Sequence, residues 1–319
     1  MISKNLWKFL ILLVIPLFFL IKNGLFQDYS GESKTSMITC KLMGGLGNQL
    51  FQIFTTISCA IKSNNEFKFL ALEKLGGGSS TLRYTYWNSL LYKLKPFLIQ
   101  ELPSDIKVVS EYGFQYNDIP IMSYKAKDIM ISGYFQSYKY FKDNYRSIYD
   151  IIGIENMKQT LLQKLNMSNE NLKNTISIHF RIGDYKNMEH FHPIATYEYY
   201  ENALMHIKSK LGTDEKFTIM YFCEDINIKE VLTTIHKLQG KFPDFSFIRG
   251  DSSLEDWEQL LLMSCCHHNV IANSSFSWWS AYFNSNKDKI VCYPSVWFGS
   301  SANLDTKDLC PPEWVKVQV

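Results

Sequence analysis

From Met37 onward the chain alternates short apolar runs with amphipathic stretches of helical length, and that alternation leaves it few folds. The strand-like runs fall at 37–42 (MITCKL), 67–72, 129–135 (IMISGYF), 176–180, 217–222, 245–248, 270–272 and 290–293. Helical stretches lie between them, from 48 to about 63, from about 196 to 211, and over 227–238, 254–267 and 276–284; a further aromatic helix is expected beyond 135. Strands separated by helices of this length form right-handed βαβ units and a mostly parallel sheet, so the fold class is α/β. Ligands of such sheets bind beyond the carboxyl ends of the strands. Chemistry is therefore expected in the residues that follow each strand. Only 76–128, a GGGSS loop followed by scattered aromatics, yields no clear element.

At 319 residues the chain suffices for one large domain or two modest ones. Its formal net charge of +2 gives no broad basic field, which argues against nucleic acid as a partner. The 22 Phe, 19 Tyr and 7 Trp include rings able to stack on sugars, although most such rings fill cores. Seven dispersed cysteines are no disulfide scaffold, and their odd number leaves at least one thiol unpaired.

Before Met37, residues 9–21 (FLILLVIPLFFLI) are uncharged and apolar, with Lys4 and Lys8 ahead and Lys22 behind. The run is shorter than the roughly 20 residues of a full span, but snorkelling lysines and Trp7 can extend it. A cleaved signal peptide has the same outline. The following residues lack a small-x-small cleavage site, which favours an uncleaved type II anchor over 1–36, with a cytoplasmic tail and a short polar stem. The expected location is a membrane, facing the Golgi lumen in a eukaryote.

Three strand-following motifs stand out. The first is Gly44-Gly45-Leu46-Gly47-Asn48-Gln49. Its glycines let backbone approach a ligand, and the helix that follows offers free N–H groups; the pattern is neither G-x-G-x-x-G nor a P-loop. It is also consistent with no more than a tight strand-to-helix turn. In the second, His179-Phe180-Arg181-Ile182-Gly183-Asp184-Tyr185, alternation puts Ser177, His179 and Arg181 on one face and Ile176, Ile178 and Phe180 on the other. Arg181 presents planar donors suited to phosphate oxygens, or it merely pins the turn through Asp184. The third motif, Asn273-Ser274-Ser275-Phe276-Ser277-Trp278-Trp279, opens a helix with hydroxyl residues, suited either to a phosphate or to plain N-capping. Asn273 also fits a glycosylation sequon but is expected to be buried, which makes Asn166 the better acceptor.

No Asp-x-Asp metal motif occurs. The adjacent Cys265, Cys266, His267 and His268 lack zinc-ligand spacing, so no metal is expected there. A leaving diphosphate would then have to be neutralised by arginine, helix dipoles and N–H groups.

Together GGLGNQLFQ (44–52), GYFQSYKYF (133–141), HFRIGDY (179–185) and LLMSCCHHNVIANSSFSWWSAYFN (261–284) resemble glycosyltransferase family eleven, the α-1,2-fucosyltransferases, over nearly the whole folded chain. The resemblance implies a GT-B-like architecture of two Rossmann-like halves, here 37–165 on the acceptor side and 166–319 on the GDP-fucose side. It also implies inverting transfer of L-fucose from GDP-fucose to the 2-hydroxyl of a terminal galactose, with no metal and no cofactor. On that footing Arg181 would hold the β-phosphate and His179 would support it. Asn273, Ser274, Ser275 and Ser277 would line the diphosphate pocket. Gly45, Gly47, Asn48 and Gln49 would lie across the cleft, with Asn48 and Asp184 joining Arg181 in catalysis. For the general base, Asp184, Glu189, His190, Glu224 and Asp225 stay open. A different acceptor, or a catalytically silent sugar-binding membrane protein, are the alternative functions.

Overall fold

In a computed structural model of the protein, which describes residues 36–76, 82–124, 127–211 and 216–319, the alternating pattern builds two parallel sheets. The first contains β1 (Met37–Cys40), β2 (Glu66–Phe67), β3 (Lys107–Ser110) and β4 (Ile129–Ser132), in spatial order β2-β1-β4-β3. Helix α1 (Leu46–Ser63) connects β1 to β2, and α2 (Tyr145–Ile152) and α3 (Ile154–Lys164) lead out of this sheet. Gly153, at φ +82°, separates the last two helices.

Six strands form the second sheet: β5 (Thr175–His179), β6 (Thr218–Phe222), β7 (Ser246–Arg249), β8 (His268–Val270), β9 (Val291–Pro294) and β10 (Val315–Val317). Every pairing is parallel. The connecting helices are α4 (Tyr197–Leu211), α5 (Ile228–Lys241), α6 (Asp256–Cys265) and α7 (Ser275–Phe283). The spatial order is β7-β6-β5-β8-β9-β10, so the chain steps outward from β5, returns, and steps outward the other way from β8. This is the order of a dinucleotide-binding Rossmann sheet, and its switch point lies between β5 and β8. The α/β expectation holds.

The expected alternation along β5 holds too. Ile176, Ile178 and Phe180 enter the core with residues of α4 and α5, while Ser177 turns the other way and accepts a hydrogen bond from Asn269 Nδ2 at 2.7 Å. Helix α1 is buried almost all round, its polar Gln49, Gln52, Thr55, Thr56 and Ser58 included, and it packs on both β1 and α7. Phe51 meets Trp278 at 4.5 Å between ring centroids, and Phe54 meets Trp279 at the same distance. Truncating one such ring would cost about 3–5 kcal/mol. This core draws on both sheets' surroundings, from Ile38 to Trp314.

Several elements differ from the sequence reading. The run at 67–72 splits, with Phe69–Leu70 leaving β2 to pair with Leu98–Ile99. The run at 129–135 ends at Ser132, and Phe135 adopts φ +51°. Strand β3 lies inside the unassigned 76–128 because its residues are mostly exposed and carry no core periodicity. All seven cysteines are unbridged. The anchor expected over 1–36 falls, except for its last residue, outside the described residues. Among the described residues no helix is long and apolar enough to cross a membrane.

Candidate active site

Two helix N-termini meet beside the switch point. Gly44 takes φ +75°, a conformation that favours glycine, and turns β1 into α1. Three residues on, Gly47 lies so close to α7 that a Cβ would sit 2.4 Å from the Ser275 carbonyl carbon and 2.5 Å from Phe276 N. Only glycine permits that approach. Both helices thus present their first turns to one cavity, and neither first turn carries an acid or a side-chain cap. Ser274 stands at the N-cap position of α7 without making a capping bond, so plain capping does not account for it. Ser275 Oγ instead donates to Asn48 Oδ1 at 2.7 Å, and Gln136 Nε2 donates to the same oxygen at 2.9 Å.

On the other wall β5 ends at His179, and the chain turns to bring out Arg181. Its guanidinium donates to Glu224 Oε1 and to Asp184 Oδ1, both at 2.5 Å, and lies over the Tyr185 ring. Glu224 reaches it because Gly183 leaves room: a Cβ there would stand 2.1 Å from Glu224 Oε2. Burial, reinforced by the Arg181 charge, pushes His179 down to about 3, so its ring is neutral. Among the described residues His179 Nδ1 is buried without a partner. A bare acceptor costs less there than an unpaired N–H, which leaves the proton on Nε2. Burial holds Tyr185 as a protonated phenol, raised to about 12, and it donates to the Asn273 carbonyl at 3.0 Å.

The cavity between these walls measures about 470 Å³. Of the residues expected from sequence, Gly45, Gly47, Asn48, His179, Arg181, Asp184, Asn273, Ser274 and Ser275 line it. Asn273 is buried as expected, with its amide held by the carbonyls of Pro193 at 2.8 Å and Trp297 at 3.1 Å and its own oxygen unpartnered. Two expected ligand contacts need correction. Gln49 is wholly buried off the cavity and spends its amide on the carbonyls of Gly44 at 3.0 Å and Tyr84 at 2.9 Å. Ser277 is wholly buried, the third residue of α7, and turns back to the Ala272 and Ser274 carbonyls. Among the base candidates Glu224 and Asp225 line the cavity, whereas Glu189 and His190 do not. Cys265 ends α6 and His268 opens β8, where its Nδ1 accepts from Ile290 N at 3.0 Å, so the four adjacent residues form no common site.

Sequence reasoning missed Arg83, Tyr86, Gln136, His192 and Asp256 on the cavity wall. Gln136 belongs to the GYFQSYKYF segment (133–141) and is aimed by an unusual backbone: Glu111 accepts the N–H of Tyr134 at 2.7 Å and of Phe135 at 3.0 Å. Arg83 is the single arginine of 76–128, which was a usable signal. Arginine, two uncapped helix starts and inward serines form an arrangement that can hold a diphosphate without added cations.

The family model described as Glycosyl transferase family 11 matches residues 13–318. An Escherichia coli alpha-1,2-colitosyltransferase is 25% identical over 303 residues, spanning 89% of this chain and 99% of its own. The Escherichia coli O-antigen biosynthesis glycosyltransferase WbnK is 33% identical over 147 residues, 45% of each chain. Among solved structures, Arabidopsis thaliana FUT1 in complex with GDP aligns at a TM-score of 0.47 and 11% identity, covering 83% of this chain and 71% of that one. These relatives correct one expectation. The expected Golgi-facing placement is corrected, because both curated relatives are bacterial and one is named for O-antigen biosynthesis; among the described residues no helix is long and apolar enough to cross a membrane.

Proposed function

The chain belongs to glycosyl transferase family 11, and we propose that it transfers L-fucose from GDP-fucose to the 2-hydroxyl of a terminal galactose, with inversion and without a metal. The two parallel sheets are read as GT-B-like halves, with 37–165 on the acceptor side and 166–319 on the donor side. The observation that carries this reading is the convergence of two uncapped, acid-free helix N-termini with Arg181 at the Rossmann switch point.

In this reaction the acceptor oxygen attacks the anomeric carbon opposite the diphosphate. The bond from that carbon to the β-phosphate oxygen breaks, GDP leaves with the electron pair, and the hydroxyl proton passes to a base. Most of the barrier lowering lies in stabilising charge on the departing diphosphate. Arg181 supplies the cation, the two helix starts supply N–H donors, Ser274 supplies an O–H donor, and neutral His179 supplies one N–H. Asn48, held by Ser275 and Gln136, lies where it would meet the sugar. The carboxylates on the wall are already engaged: Asp184 and Glu224 by Arg181, Asp225 by Arg249 and Asp256 by Tyr86. That engagement supports a metal-free site and casts Asp184 as the residue that orients Arg181.

A second reading has a specific observation behind it, the alpha-1,2-colitosyltransferase matched along its whole length. Colitose is L-fucose without the 3-hydroxyl, so the same diphosphate machinery would serve either GDP-sugar. The deciding experiment offers GDP-fucose and GDP-colitose to the full chain in EDTA with β-galactoside acceptors, wild type beside Arg181→Ala. Fucose transfer that falls about 100- to 1,000-fold in the variant supports the proposal. Transfer of colitose alone shifts the donor, and binding without transfer to any galactoside removes the acceptor.

A further inference from the structure

Arginine is rare in this chain, with four among the 33 basic residues, yet two of the four, Arg83 and Arg181, line one cavity. A chain that otherwise uses lysine places a guanidinium where a planar, forked donor is needed. Among the described residues, these are the lysine or arginine side chains on the cavity wall, and they face four carboxylates: Asp184, Glu224, Asp225 and Asp256. A diphosphate entering that wall adds further negative charge. Arg181 alone, already shared between Asp184 and Glu224, does not balance it.

The geometry points to Arg83 as a second cation for the β-phosphate, delivered from the wall opposite Arg181; this inference rests on the reading that the cavity takes a GDP-sugar. Arg83 belongs to a short antiparallel ladder in which Lys74–Leu75 pairs with Arg83–Tyr84. The ladder is fixed to the glycine turn of α1 by buried Gln49, which donates to the carbonyls of both Gly44 and Tyr84. Thr85 tightens it through its hydroxyl to the Leu72 carbonyl at 2.6 Å, and the Trp87 indole N–H reaches the same carbonyl at 3.1 Å. From this base the Arg83 guanidinium extends across the cavity to 3.5 Å from Asp184 Oδ2, while Asp184 Oδ1 takes Arg181. Asp184 therefore bridges the two guanidiniums, and the β-phosphate is the ligand that can replace it between them. The Arg83 side chain, 40% exposed and at a long 3.5 Å, is loosely held and free to make that exchange. On this account Gln49 is a positioning residue whose buried amide aims Arg83.

The test is calorimetric titration of the full chain with GDP and with GMP, which lacks the β-phosphate. Arg83→Gln is expected to weaken GDP about tenfold, the loss typical of a charge-assisted bond, and to leave GMP unchanged. Arg83→Lys, which keeps the charge and loses the fork, should fall between. If the glutamine variant fails to fold, the lysine variant carries the same comparison. Unchanged GDP affinity overturns the inference, and so does an equal loss for GDP and GMP, because that is how a mere latch between the walls would behave. A wild-type protein that binds neither nucleotide removes the GDP-sugar reading itself, an outcome distinct from a variant that matches a binding wild type.

Discussion

The helix starts that meet at the cavity reach one electrostatic end by opposite means. The turn into α1 works by omission: Gly44 bends backward and Gly47 withholds a Cβ, so backbone approaches backbone. In the turn into α7 the work is done by addition, since Ser275 donates to Asn48 and Ser274 sits uncapped at the rim. Each is unremarkable alone, because glycine turns and serine-rich helix starts are both common. What distinguishes them is their contact. A glycine on one helix matters because of a serine backbone 228 residues later in the chain, Gly47 against Ser275.

The largest expected effect comes from breaking that contact. Gly47→Ala gains about 0.5–1 kcal/mol of helix propensity but drives a Cβ into immovable backbone, an overpacking cost of about 1–3 kcal/mol. The net is destabilisation, read as a lower denaturation midpoint, with transfer activity falling alongside; a midpoint at or above wild type would show that the two helices are free to part. Next, Asn48→Asp keeps the acceptor for Ser275 and Gln136 while adding charge near the proposed diphosphate. An acid in the third position of α1 stabilises the fold by about 0.3–1 kcal/mol, yet GDP affinity should drop about tenfold by like-charge repulsion. Opposite signs in melting and titration would sharpen the comparison, and matching signs would break it.

Acidity acts on the α7 turn more modestly. His179 packs beside Phe276 of α7, with ring centroids 5.4 Å apart. His179 is neutral in the fold down to about 3 but takes a proton near 6.5 when unfolded. Stability is therefore full above 6.5 and is lost as pH falls from there towards 3, at up to about 1.4 kcal/mol per pH unit for one proton. His179→Gln should flatten urea midpoints across that window. Part of the slope should survive, because His268 is likewise held down, to about 4. The smallest effect is expected at Gly45, where a Cβ meets nothing within 4 Å among the described residues. Gly45→Ala should stay within about 0.5 kcal/mol of wild type, a contrast with Gly47 two residues on.

Legibility tracked periodicity. In the second sheet β5, β6, β7 and β9 could be read to within a residue, and most of the helices between them were legible too. Strand β8, expected at 270–272, begins two residues earlier at His268 because its polar His268 and Asn269 hide it, and β10 was not read. Strand β3 could not be read, because an exposed edge shows no core pattern. The site divides similarly. Arg181, Asn48 and the serine turn follow strands closely and were visible, whereas Arg83 and Tyr86 come from a segment without regular pattern. Gln49 and Ser277 were misplaced for one reason: membership of a motif does not say which face of a helix a residue takes. Successive residues of a helix point about 100° apart, so Gln49 turns into the core while Asn48 faces the cavity.

By itself the sequence determined the α/β class, the family and the strand ends at which chemistry would collect, since these depend on local periodicity and short motifs. Only tertiary structure decided that two helix N-termini share one cavity, that Asp184 joins Arg181 to Arg83, and that Gln49 is scaffold. Those are relations between residues far apart in the chain. They are set by how closely backbones pack and by which buried donors find carbonyls, and neither is written in any local pattern.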